Sequence, residues 1–138
     1  MCIRDSEEAI EILEKFKEIS EFKVEPIASG GEVLKIRDMI WNVYVDRSVS
    51  EYIVDLVEET RKHPHVKIGG SPRAAIALYM ASRAMALMNG RDYVIPDDVK
   101  AVAHAVLNHR LILKPESEFE GITPAKVIEE VVKSVPVP

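Results

Sequence analysis

Apolar residues recur at helical spacing along most of the chain. Ala9, Ile10, Leu13 and Phe16 form one stripe that ends near Ile19. Ser6 stands where it can cap that helix, and Glu7 and Glu8 fall in its first turn, where the dipole favours acids. Glu21 to Gly31, with Pro26 and a Ser-Gly-Gly, reads as a connection. A second helix is predicted from about Glu32 to Val43, with Val33, Ile36, Ile40 and Val43 on one face. Ser48 is expected to cap a third, in which Val49, Tyr52, Ile53, Leu56, Val57 and Thr60 recur. The stretch His63-Pro64-His65-Val66-Lys67-Ile68-Gly69-Gly70 breaks that helix and reads as a loop. Ser71-Pro72 then restarts one, with serine as N-cap and proline at the first helical position.

The helix from Pro72 to about Met88 is apolar nearly all round, interrupted mainly by Arg73, Ser82 and Arg83. Such a pattern predicts a central helix packed on several sides. Asn89-Gly90 ends it. Pro96-Asp97-Asp98 starts another, with Val99, Val102, Ala103, Val106 and Leu107 facing inward. Leu111-Ile112-Leu113 is too short for a helix and is a candidate minor strand. Thr123-Pro124 repeats the cap-plus-proline start, followed by a stripe of Val127, Ile128, Val131 and Val135. The expected fold is all-α: a small bundle of roughly six helices, with room for one minor strand pair. Met1 to Asp5 do not join the pattern and read as an artefact or a truncated start, leaving 6–138 as the domain.

Composition narrows the class. The chain has 138 residues, 47% hydrophobic and 30% charged, the mix of one soluble globular domain. Lys plus Arg number 18 against 23 Asp plus Glu, a net charge of −5 that argues against nucleic-acid binding by bulk charge. The single cysteine, Cys2, can form no internal disulfide and completes no zinc set. The longest apolar stretch, Ala74 to Ala81, is far short of the ~20 residues that cross a bilayer. No basic-then-apolar leader opens the sequence, so a cytoplasmic protein is expected, with no membrane partner.

The most informative chemistry lies in Gly69-Gly70-Ser71-Pro72-Arg73. A cation in the first turn of a helix opposes the dipole, at a cost of a few tenths of a kcal/mol or more. Exposed amides and a guanidinium fork at one helix end also make a phosphate site. Arg73 is therefore either an anion-binding residue or an exposed arginine tolerated there, and the five residues alone leave both open. No Gly-x-x-x-x-Gly-Lys-Ser/Thr loop occurs, nor an apolar run ending in Asp-Glu, so most of any nucleotide site would lie elsewhere. His63 and His65 flank Pro64 without a completing ligand set, and His104 and His109 are five apart, off a common helix face; no metal site is expected. Asp97 and Asp98 read as dipole-compensating residues rather than an acid and a base. Tyr79, Met80, Met85 and Met88 read as core filling, and Arg83 and Arg110 as structural.

Val54-Asp55-Leu56-Val57, Gly69-Gly70-Ser71-Pro72-Arg73-Ala74, Gly90-Arg91-Asp92-Tyr93-Val94-Ile95-Pro96-Asp97-Asp98-Val99 and His109-Arg110-Leu111 occur in this order. Together they resemble the C-terminal lid of MoxR-family AAA+ ATPases, over Ser6 to Pro138. The resemblance implies a helical lid on an ATP-binding α/β core in a ring oligomer. It implies that Arg73 is the sensor-2 arginine, with Ser71 and Pro72 forming the helix start at the phosphate, and that ATP with Mg is bound only together with the core. It also implies partners: the core of the same protein, neighbouring ring subunits, and von Willebrand A-domain proteins matured by a chaperone-like ATPase. The phosphate loop, magnesium-binding acids, sensor 1 and arginine finger would all precede Ser6. ATP hydrolysis by this chain alone is therefore not expected, and a fragment is. The other reading is a stand-alone helical protein–protein interaction module without a nucleotide role.

Overall fold

The computed structural model describes residues 6–138, and the expected artefact at Met1 to Asp5 lies outside them. Eight α-helices, two 3-10 turns and one strand pair follow in order. The chain divides into two compact units, Met1–Val33 and Leu34–Pro138.

In the first unit the expected opening helix is two: α1 (Ser6–Glu14) and α2 (Phe16–Glu21), separated at Lys15, whose φ of −89° and ψ of 4° leave the helical region. The expected cap contact at Ser6, the acids Glu7 and Glu8, and Ile19 lie outside the described side chains. Of the apolar stripe, Ile10, Leu13 and Phe16 are exposed. α3 (Gly30–Met39) starts earlier than predicted because Ser29 and Glu32 form a capping box. The Glu32 carboxylate accepts from Ser29 N–H at 2.7 Å, and Ser29 Oγ accepts from Glu32 N–H at 3.2 Å.

The second unit holds the core. A 3-10 turn (Ile40–Asn42) leads to Val43, the one residue of its predicted stripe that is buried. α4 (Arg47–Lys62) buries Val49, Tyr52, Ile53, Leu56, Val57 and Thr60, the six positions the periodicity picks out. Its cap is Asp46 rather than Ser48: the aspartate accepts from Ser48 N–H at 2.8 Å and from Ser48 Oγ at 2.7 Å. After β1 (Val66–Ile68), α5 (Pro72–Met88) packs most extensively on α6 (Pro96–Leu107) and next on α4. Its buried residues are Ala74, Leu78, Ser82 and Ala86, a single i, i+4 row. Ala75, Tyr79, Ala81, Met85 and Leu87 beside that row are half-buried against the core, so the helix is covered over most of its surface as expected, and Ile76, 64% exposed, and Met88, 81% exposed, are the large residues left out.

Gly90, at φ +73°, turns the chain out of α5 in a conformation that disfavours other residues. α6 buries Val99, Val102, Ala103 and Leu107, with Val106 half-buried. Its third residue, Asp98, is itself buried. The carboxylate receives both ends of the Arg91 guanidinium at 2.6 and 2.7 Å, and the Ile95 N–H at 3.0 Å. A 3-10 turn (Asn108–Arg110) precedes β2 (Ile112–Leu113), the expected minor strand, which pairs antiparallel with β1 through Val66–Leu113 and Ile68–Ile112. α7 (Pro115–Phe119) was not foreseen; five residues are too few to show a period. α8 (Pro124–Ser134) starts at Thr123, whose hydroxyl accepts from Lys126 N–H, and Val127, Ile128, Val131 and the following Val135 are buried. No described helix is long and apolar enough to cross a membrane.

Candidate functional site at the start of helix α5

Residues 69–73 form a short passage from β1 into α5. Ser71 is the N-cap by backbone, at φ −88° and ψ 171°, but its hydroxyl caps nothing. Pro72 sits at the first helical position, where a missing N–H costs no hydrogen bond. The Ser71 carbonyl accepts from Ala74 N–H at 2.8 Å, closing the first turn. Among the described residues nothing accepts from the Arg73 N–H. Arg73 is exposed, and it joins none of the ion pairs formed among them.

The contrast with α6 is instructive. That helix opens on Asp97 and Asp98, which oppose the positive end of its dipole. α5 has no acid in its first turn and carries an arginine there instead. The result is an unspent amide, a helix-dipole end and a guanidinium fork turned to solvent together, an arrangement suited to an oxyanion.

What holds this passage in place was not apparent from the sequence. Thr60 and Arg61, at the end of α4, both reach Gly70. Gly70 N–H donates to Thr60 Oγ1 at 2.8 Å, and Arg61 Nε donates to the Gly70 carbonyl at 2.6 Å. Gly69 lies so close to α4 that a Cβ would stand 2.7 Å from the Arg61 Cα. The only advance signal was the Gly-Gly pair itself, since paired glycines mark close backbone approach as well as turns.

The other candidates have structural surroundings. His63 and His65 lie with ring centroids 5.6 Å apart, but His63 faces Glu130 at 3.2 Å and His65 is bonded to Ser117 at 2.9 Å. No cluster of three or more potential metal ligands occurs among the described residues. His104 and His109 are both exposed. Asp97 is exposed and paired with Lys100 at 3.0 Å, whereas Asp98 is buried with Arg91; the two do not share a site. Burial would raise the Asp98 pKa, but the Arg91 hydrogen bond and charge, with the Ile95 N–H, outweigh it and hold the carboxyl below its ordinary value. Arg110 Nε donates to the Val106 carbonyl. Arg83 lies over the Tyr79 ring at 4.5 Å and the Trp41 ring at 5.8 Å. Tyr79 and Met85 pack on the core, half-buried, while Met88 does not. Beside them, an apolar groove of about 330 Å³ opens between α4 and α5, lined by Trp41, Val54, Ala75, Ile76, Tyr79 and Met80 among others.

The AAA lid domain family matches residues 58–131, which include the α4 end, the passage into α5 and the Asp98 pair. The chain belongs to the AAA lid family of MoxR-like AAA+ ATPases. It is 44% identical to the protein YeaC of Bacillus subtilis over 115 residues, covering 83% of this chain and 36% of YeaC. To the chaperone MoxR1 of Mycobacterium tuberculosis it is 37% identical over 121 residues, covering 81% of this chain and 32% of that protein. A crystal structure of a candidate ATPase from Cytophaga hutchinsonii matches the whole lid chain with a TM-score of 0.81 at 36% identity, over 45% of that chain. The lid chain thus spans about a third of the length of these two curated relatives.

Proposed function

We propose that this lid contributes Arg73 to a nucleotide site completed by an ATP-binding core, as a sensor-2 arginine. The observation that carries the reading is the start of α5, where an exposed arginine and an open amide stand at the positive helix end without an acid to oppose them. Ser71 and Pro72 form the turn that presents them. ATP with Mg would be held mainly by the core, and Arg73 would meet charge that develops on the transferred phosphoryl group. Loss of that phosphate removes a contact favouring the closed lid, so the arginine also reports nucleotide state. Neighbouring ring subunits, clients with von Willebrand A domains and a cytoplasmic setting belong to the same reading.

Purified alone, the chain should turn over no ATP. Joined to the ATP-binding core of a MoxR-type relative, it should support hydrolysis, and Arg73→Ala should lower turnover by at least about tenfold while leaving the melting temperature nearly unchanged. Arg73→Lys should rescue partly, since an ammonium lacks the planar fork. A second reading, a helical interaction module without a nucleotide role, is favoured by the apolar groove between α4 and α5. It expects unchanged turnover in Arg73→Ala.

A further inference from the structure

Arg73 is exposed, and no side chain among the described residues fixes its direction. Its aim is therefore set by the backbone that carries it. Three residues upstream, Gly70 is gripped at both of its polar groups by two consecutive residues of α4. Thr60 is fully buried and its hydroxyl serves in both senses: it donates to the Val57 carbonyl at 2.6 Å and accepts from Gly70 N–H at 2.8 Å. Arg61 Nε takes the Gly70 carbonyl at 2.6 Å. Gly69 admits no side chain against the Arg61 backbone, and a Cβ on Gly70 would meet Val57 Cγ1 at 3.1 Å. From Gly70 onward there is little slack. Pro72 has a fixed φ, and the Ser71–Ala74 hydrogen bond closes the turn.

We propose that Thr60, with Arg61 beside it, is a positioning residue for Arg73: the last turn of α4 holds Gly69-Gly70 and so sets where α5 presents its guanidinium. This rests on the phosphate reading of Arg73 and extends it to residues that never touch the nucleotide. The need for such a grip is physical. A displacement of about 1 Å at a charge-stabilising group can cost on the order of a hundredfold in rate. An arginine in a first helical turn that was free to shift would supply little.

The test is a mutant cycle in the chain joined to an ATP-binding core. Thr60→Val keeps the shape and removes the hydroxyl; it should lower kcat by about tenfold with the nucleotide KM little changed. Thr60→Ser should restore most of the loss. In an Arg73→Ala background, Thr60→Val should cost nothing further, because it acts only through the arginine. Arg61→Met, which keeps the apolar stem of an exposed residue and removes its bond to the Gly70 carbonyl, should give a smaller loss with the same dependence on Arg73, and serves if Thr60→Val fails to fold. Equal losses in both backgrounds, or no loss beside a costly Arg73→Ala, would overturn the positioning role and leave the phosphate reading standing. An Arg73→Ala protein with full turnover would overturn both.

Discussion

Leu78→Ala should destabilise the lid by about 2–5 kcal/mol, whereas Ile76→Ala, two positions earlier on α5, should cost no more than about half a kcal/mol. Leu78 is fully buried, in a row whose other members are Ala74, Ser82 and Ala86. It is the one large side chain of α5 that is fully buried, so its removal leaves a void that small residues cannot close. Ile76 is 64% exposed and loses little solvent-shielded surface on truncation. Urea denaturation of the isolated chain measures both. Similar costs at the two positions would mean that Ile76 is buried as deeply as Leu78.

Asp98→Ala should cost about 3 kcal/mol, at the lower end for a broken buried pair, because Arg91 is 23% exposed and can turn to water, leaving the Ile95 N–H as the second group to lose its partner. The carboxylate is 3% exposed and joins the loop after α5 to the first turn of α6. The same geometry sets a pH dependence. The folded pKa of Asp98 lies below its unfolded value of about 3.9, so its contribution is fully present above that pH and is lost as pH falls through the folded value. Acid titration of stability should therefore fall less steeply below about pH 4 in Asp98→Asn than in the parent. Parallel curves would remove the charge from the account of this pair.

In the second unit, helices with one apolar and one polar face were easily read. The buried rows of α4 and α8 are the predicted ones, and α6 differs in the half-buried Val106 and in the buried Asp98. In α5 the all-round apolar pattern matches a helix covered over most of its surface, but it does not say which large residues are left out: Leu78 is fully buried, whereas Ile76 and Met88 are exposed. α7 and β1 were invisible locally, the first for want of length and the second because its partner, β2, lies some 45 residues onward. At the α4 cap, Asp46 outcompeted Ser48, since one carboxylate accepts from both the Ser48 amide and its hydroxyl. Arg73 stood out as a misplaced charge. The grip of Thr60 and Arg61 on Gly70 did not, because it joins residues nine and ten apart across the end of α4 and β1, a path that periodicity does not describe.

If the arginine at the start of α5 meets a phosphate, its guanidinium must be found against one in a liganded complex. The measurement is a crystal structure of the chain joined to an ATP-binding core and loaded with a non-hydrolysable ATP analogue. The expected result is a guanidinium nitrogen of Arg73 about 2.7–2.9 Å from a phosphate oxygen, with the Gly70 bonds to Thr60 and Arg61 intact. An Arg73 left in solvent, with the terminal phosphate fully satisfied by other groups, would contradict it.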